Sequence, residues 1–179
     1  MLKLRLSLLI SIALFFLIGL GIPHAIAAPV SSSEAIAQPV ADIAGGSMFS
    51  FSGTRPDNLG VKEGKLASCP DSPNCVNSQS PESDEDHHIE PLTYSLSPSE
   101  AMEKLKSVIQ TMERTNIVTE DKTYLYAEFT SALMGFVDDV EFYLDESNGV
   151  IHVRSASRLG QSDLGVNRKR IEAIREQFA

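Results

Sequence analysis

The chain has 179 residues, of which 42% are hydrophobic and 7% aromatic, and a formal charge of −9. That length and composition suit one domain with a modest core, and the acidic balance argues against a nucleic-acid partner, because phosphate backbones are gripped by basic surfaces. The charge is uneven: residues 80–146 hold 16 acidic against 4 basic groups, and residues 151–179 hold 3 acidic against 6 basic. This reads either as two faces that solvate each other or as a basic end that docks on an acidic partner.

Lys3 and Arg5 precede an apolar run from Leu6 to Leu20, closed by Gly21-Ile22-Pro23 and followed by Ala25-Ile26-Ala27. A basic flank, a short apolar core and small residues mark an export signal over residues 1–27, cleaved after Ala27. The run also lies near the lower limit for a membrane span, so an uncleaved anchor is the alternative, and membrane contact is expected only through it. Removing Lys3 and Arg5 with the signal takes the charge from −9 to −11. Residues 28–57 mix Ala, Pro, Ser, Val and Gly without a sustained period and read as a flexible spacer, which leaves residues 58–179 as a single domain.

Cys69-Pro70-Asp71-Ser72-Pro73-Asn74-Cys75 is rich in turn residues. Export, the short separation and those residues favour a structural Cys69–Cys75 disulfide. A redox pair would ask for a tighter Cys-x-x-Cys at a helix start, and a zinc site drawing on His87 and His88 does not match a known spacing. Ser78 to Glu90 is acidic and loop-like. Asp84, Glu85, Asp86, His87 and His88 together, or Asp138, Asp139 and Glu141, have the chemistry to attract a divalent cation, but they read as solvated or ion-paired groups. No metal is assigned.

Ser97-Pro98-Ser99-Glu100 opens the clearest helix, with Ser97 as N-cap, Pro98 at the first helical position and Glu100 closing a capping box. Ala101, Met102, Leu105, Val108, Ile109 and Met112 then share one face, which is a core stripe. A weak strand at Ile117-Val118 follows. Tyr124 to Ser131 sets Leu125, Ala127 and Phe129 against Tyr124, Tyr126 and Glu128. Phe136 to Asp145 sets Phe136, Val140, Phe142 and Leu144 against Asp139, Glu141, Tyr143 and Asp145. That period of two marks a sheet with one dry face.

Glu146-Ser147-Asn148-Gly149 turns the chain into a strand from Val150 to Arg158. Sharing of the apolar face pairs Leu144 with Ile151 and Phe142 with Val153, and so puts Glu141 opposite Arg154 as a solvent-side ion pair. Asp138 falls on the dry face opposite Ser157, where a carboxylate needs a cation or a proton. A last helix from Ser162 or Asp163 buries Ile171, Ile174 and Phe178, with Asn167 on the same side. The fold expected is α+β, in the order α-β-β-β-β-α after an N-terminal disulfide loop. About four antiparallel strands carry two helices on one face, a two-layer sandwich.

Between Arg154 and Arg170 lie four arginines, a lysine, two glycines and several short polar residues. One reading is an internal polar cluster, with Asp138 paired to Arg158 or Arg170 and Asn167 satisfying loop backbone. The other is a site for an anion or a peptide carboxylate, built from Arg154, Ser155, Ser157, Arg158, Asn167, Arg170 and the helix start. No Ser/His/acid order, phosphate loop or spaced carboxylate pair stands out, so no catalytic residue and no cofactor is assigned. The function expected is a non-enzymatic binding or assembly module for a small anion or an envelope or membrane-associated protein. The alternatives are a hydrolase-like or other enzyme using Asp138 with Arg158, and a purely structural factor of the envelope or thylakoid lumen.

Cys69 to Val76, Phe136 to Glu141, Arg154 to Arg158 and Asp163 to Arg168 together resemble the family known as domain of unknown function 1499, over about Leu59 to Phe178. The matching positions are Cys69, Cys75, Asp138, Asp139, Arg154, Ser155, Ser157, Arg158, Gly160, Asp163, Gly165, Asn167 and Arg170. The resemblance carries no activity to transfer. Similar proteins occur in bacteria and photosynthetic lineages, often with export or membrane segments, which implies a periplasmic location, or the thylakoid lumen in a photosynthetic source.

Overall fold

The computed structural model describes residues 51–179, so the expected export signal and residues 28–50 of the expected spacer lie outside the described residues. The strands are β1 (Cys75–Asn77), β2 (Leu92–Thr93), β3 (Thr115–Glu120), β4 (Tyr124–Thr130), β5 (Val137–Asp145) and β6 (Val150–Ser157), with helices α1 (Pro98–Thr111) and α2 (Val166–Phe178). They form an α+β structure on one antiparallel sheet, in the order β1-β6-β5-β4-β3, with β2 also paired to β6. The sheet has six strands where four were expected. The additional β1 and β2 span 3 and 2 residues, too short to show a period, and they sit among turn residues. Both lie along the outer edge of β6, whose unpaired backbone groups they satisfy.

Helix α1 forms where its capping box predicts. The Ser97 hydroxyl accepts from the Glu100 backbone N–H at 3.4 Å, and the Glu100 carboxylate accepts from the Ser97 N–H at 3.1 Å. Its buried residues Ala101, Met102, Leu105, Val108 and Ile109 meet Ile171, Ile174 and Phe178 of α2 and the face of the sheet formed by Leu125, Ala127, Phe129, Val140, Phe142, Leu144, Ile151 and Val153, all in one apolar cluster. The hairpin register is the one apolar sharing requires, with Leu144 opposite Ile151, Phe142 opposite Val153, Glu141 opposite Arg154 and Asp138 opposite Ser157.

The second face of the sheet is not the wet surface expected. Residues 51–66 run across it: Leu66 packs with Tyr124 and Tyr126, and Leu59, Val61, Val118 and Tyr143 pack around them. The last residues of the expected spacer already belong to this layer. Phe51 stacks on Phe136 at 5.6 Å between ring centroids, and Arg55 pairs with Glu128 at 2.6 Å. Gly53 passes so close to the chain leaving β6 that a Cβ there would lie 3.0 Å from the Arg158 Cβ, and its φ of +65° is one that L side chains avoid.

Helix α2 begins at Val166 rather than at Ser162 or Asp163. Leu164 at φ +56° and Gly165 at φ +77° turn the chain left-handed, which stops the helix from extending further towards its N-terminus. Residues 158–165 therefore form a strand-to-helix turn.

Candidate functional site

Alternation along β5 and β6 sends neighbouring polar residues to opposite faces, so the arginine-rich segment divides into two clusters. On the helix side, the Arg170 guanidinium pairs with the Asp138 carboxylate and donates to Asn167 Oδ1 at 2.6 Å and Ser155 Oγ at 3.0 Å. Asn167 also accepts from the Ser155 hydroxyl at 2.5 Å and donates through Nδ2 to the Asn74 carbonyl at 2.9 Å and to Ser157 Oγ at 3.0 Å. Every hydrogen-bonding group of this 1% exposed amide is thus used. Arg170 lies over the Phe129 ring at 4.8 Å, a cation–π contact that closes the cluster from above.

On the opposite face, Arg158 grips Asp139 with Nε at 2.9 Å and Nη2 at 2.6 Å and also holds Glu128. Tyr126 donates to Asp139 at 2.6 Å, and Arg55 reaches Glu128 from the covering segment. Beside them Arg154 pairs with Glu141 at 3.2 Å, and Glu141 accepts from the Tyr124 hydroxyl at 2.8 Å and the Gly60 N–H at 2.7 Å. The Glu141–Arg154 pair expected at the solvent is buried, at 0% and 5% exposure. Residues 51–66 cover it, and period-two polarity identifies the face of a strand without identifying what lies upon it. Among the described residues, Arg154 Nε is a buried donor without a partner.

The electrostatics follow from this matching of charges. Burial disfavours ionised Glu128, but hydrogen bonds from Arg158, Arg55 and Tyr126 outweigh it and hold its carboxyl at about 2. Burial, reinforced by the neighbouring carboxylates, pushes both Tyr124 and Tyr126 phenols well above their ordinary range. The Asp139 contact, together with Glu128, raises Arg158 against the opposing effect of burial. Burial lowers His152, which stacks on Tyr143 and shares a 3.1 Å hydrogen bond with Ser78.

The sequence-predicted residues therefore do not make one site. Ser155, Ser157, Asn167, Arg170 and Asp138 gather under α2, while Arg154 and Arg158 lie across the sheet from them. Asp138 takes Arg170, and Arg158 takes Asp139. At the start of α2 the N–H groups an anion would seek are occupied, because Asp163 accepts from Gly165 N at 2.9 Å and Asn167 N at 2.6 Å. The basic end of the chain is also used within the fold. Arg168 donates to the carbonyls of Glu85, Asp86 and His88, and Arg175 to those of Glu90 and Pro91, which ties the acidic loop to α2. Sequence reasoning missed Glu128, Tyr124, Tyr126 and Asn74; the sole available signal was their common side of the strand for the first three, and turn chemistry for the fourth.

Cys69 and Cys75 are joined as a disulfide with their Cα atoms 5.7 Å apart. His87 lies beside this loop, with Nδ1 at 2.9 Å from Asp84 and Nε2 at 3.3 Å from the Ser72 carbonyl. Among the described residues, no three His, Cys, Asp or Glu side chains are grouped to hold a metal ion.

At the end of the sheet where these elements meet solvent, Phe136, Leu159 and Val166 wall a groove of about 180 Å³ whose polar lining includes Asp138, Ser157 and Asp163. These three apolar residues, together with Phe51, Met134 and Leu164, are exposed. Leu164 combines 86% exposure with a left-handed backbone at φ +56°.

An α+β sheet with matched charges buried on both faces and a disulfide loop against its strand-to-helix turn is the class of domain these features define. Residues 65–178 match the family described as Protein of unknown function (DUF1499). The chain belongs to that family. The match takes in the disulfide and both arginine clusters and leaves Arg55 and Gly60 of the covering segment outside it. No curated protein matches the chain.

Proposed function

We propose that this chain is a non-enzymatic binding or assembly module that docks a partner protein through the apolar end formed by Phe136, Leu159, Leu164 and Val166. The observation that carries this reading is Leu164. A left-handed backbone favours Gly or Asn, and a solvated side chain favours a polar residue, so a leucine there goes against both preferences, by roughly 1 kcal/mol on the backbone alone. Asp163 holds the turn that presents it. Such local conflict is characteristic of positions kept for contact with something else. The apolar groove beside it suits a hydrophobic side chain from a partner.

The module works on the exported side of a membrane, in the periplasm or, in a photosynthetic source, the thylakoid lumen. The disulfide supports that location, because such bonds persist in oxidising compartments. A small anion is not part of this reading, since Arg154, Arg158 and Arg170 already face carboxylates. Catalysis by Asp138 with Arg158 has no support either, as the two lie on opposite faces of the sheet.

A photo-crosslinking amino acid placed at position 164, and at exposed Gln110 of α1 as control, tests the reading in the native host. One discrete protein adduct at 164, absent at 110 and lost when Leu159→Asp is added, is the expected result. Equal labelling at both positions would remove the docking surface. Leu164→Asn should also abolish co-purification of that partner while leaving the unfolding midpoint unchanged or higher.

A further inference from the structure

The disulfide loop and the strand-to-helix turn are joined at a single residue, Asn74. Its carbonyl accepts from Ser157 N at 3.0 Å, before the turn, and from Asn167 Nδ2 at 2.9 Å, after it. Its own Nδ2 donates to the Gly160 carbonyl at 2.8 Å, within the turn. Among the described residues, that last bond is the one hydrogen bond by which residues 159–162 are held to another element. Asn74 is in turn oriented from inside the loop, where Ser72 donates its hydroxyl to Asn74 Oδ1 at 2.9 Å and its carbonyl accepts from Asn74 N at 2.8 Å. Residues 70–73 contain two prolines, belong to no strand or helix, and are closed onto β1 by the Cys69–Cys75 bond. Opening that bond restores conformational freedom to the segment that positions Asn74.

We propose that the Cys69–Cys75 disulfide is a redox control on the Leu159–Gly165 turn: oxidised, it holds the turn in place through Asn74; reduced by a dithiol protein, it releases the turn. This rests on the reading of that turn as the docking surface. Cys69 is partly exposed and Cys75 is 2% exposed, so the incoming thiolate meets the Cys69 sulfur. The S–S bond breaks, Cys75 leaves as a thiolate and takes a proton, and a mixed disulfide joins Cys69 to the reductant. The second thiol of the reductant then attacks its own sulfur in that bond and frees Cys69 as a thiol. Two electrons and two protons pass to the pair, and the dithiol becomes a disulfide.

The test is hydrogen exchange on the intact chain, oxidised and after dithiothreitol, with alkylation mass shifts reporting both thiols. Reduction should raise exchange in peptides covering 69–75 and 158–167 by at least about fivefold, the order of change that loss of one net hydrogen bond produces, while α1 and β5 keep their protection. Asn74→Ala, with the disulfide intact, should raise exchange in 158–167 alone. Unchanged exchange in 158–167 with both cysteines alkylated overturns the proposal. So does resistance of the bond to dithiothreitol under native conditions, or loss of protection throughout the chain, which would make the disulfide a general staple. If the crosslinked partner is captured equally by oxidised and reduced chain, control fails and docking stands. If exchange responds as stated but position 164 captures nothing, docking fails and the coupling stands.

Discussion

Truncating Arg158 to alanine isolates the charge that matters most to the covered face of the sheet. Its guanidinium is the cation for Asp139, which is 1% exposed, and shares Glu128 with Arg55. Without it, Asp139 keeps the Tyr126 hydroxyl as its side-chain partner, and a buried carboxylate is left without a counter-ion. Removing one member of such a pair costs about 3–5 kcal/mol, against a total stability of about 5–15 kcal/mol for a domain. With a urea slope of about 1.5 kcal/mol/M, the unfolding midpoint should fall by about 2–3 M. The companion variants are Asp139→Asn and the double substitution. If the loss is the orphaned charge, the double variant is more stable than Arg158→Ala alone, because the carboxylate has gone with its partner. Equilibrium urea unfolding of the oxidised chain, followed by circular dichroism, reads all three. A loss below about 1 kcal/mol for Arg158→Ala, or strict additivity in the double variant, would refute the internal-frame account and return Arg158 to the role of a free anion binder.

Glu128 supplies a pH dependence of definite sign. Its folded carboxyl sits at about 2 against an ordinary 4.5, so its contribution is fully present above about pH 4.5 and is lost as pH falls towards 2, by about 3 kcal/mol in all. In Glu128→Gln the stability curve should flatten over that window; an unchanged acid slope would contradict the assignment. Ser97→Ala removes the hydroxyl half of the capping box, leaves the bond from the residue-97 backbone N–H to the Glu100 carboxylate available, and should cost about 1 kcal/mol in thermal or urea unfolding, with the α1 peptide exchanging faster at its first turn. If α1 exchange is unaltered, packing alone holds that helix end.

The parts of the fold that could be read from sequence were those set by local rules. The α1 cap, its apolar stripe and the β5–β6 register each follow from spacing that only one geometry satisfies. The two short edge strands could not be read this way, since β1 and β2 are strands only because β6 offers an edge to pair with. The turn was misplaced by the same kind of blindness. Ser162 and Asp163 look like helix caps, and Asp163 does accept the α2 N–H groups, but it does so from across a left-handed Leu164-Gly165 step that polarity patterns do not encode. The candidate site suffered most. The polar side of β5 was legible, and its burial was not, because the covering segment places few apolar residues on that face, Leu59, Val61 and Leu66 around Tyr124 and Tyr126, shows no period, and begins within residues 51–57 that read as spacer.

The adjacent pair Asp138-Asp139 shows why such burial is tolerable in a chain this acidic. One carboxylate goes to each face of the sheet, and each meets an arginine there, Arg170 from α2 and Arg158 just after β6. A one-residue slip of β5 would exchange the two faces. It would drive Glu141 into the apolar layer that now holds Val140 and Phe142, and would separate both aspartates from their guanidinium partners. Hydrophobic and ionic matching therefore select the same register, and a misregistered sheet loses on both counts. Buried ion pairs contribute little net stability compared with well-packed apolar groups, but they penalise the wrong alignment heavily. The arginine-rich segment thus specifies how β5, β6 and α2 come together.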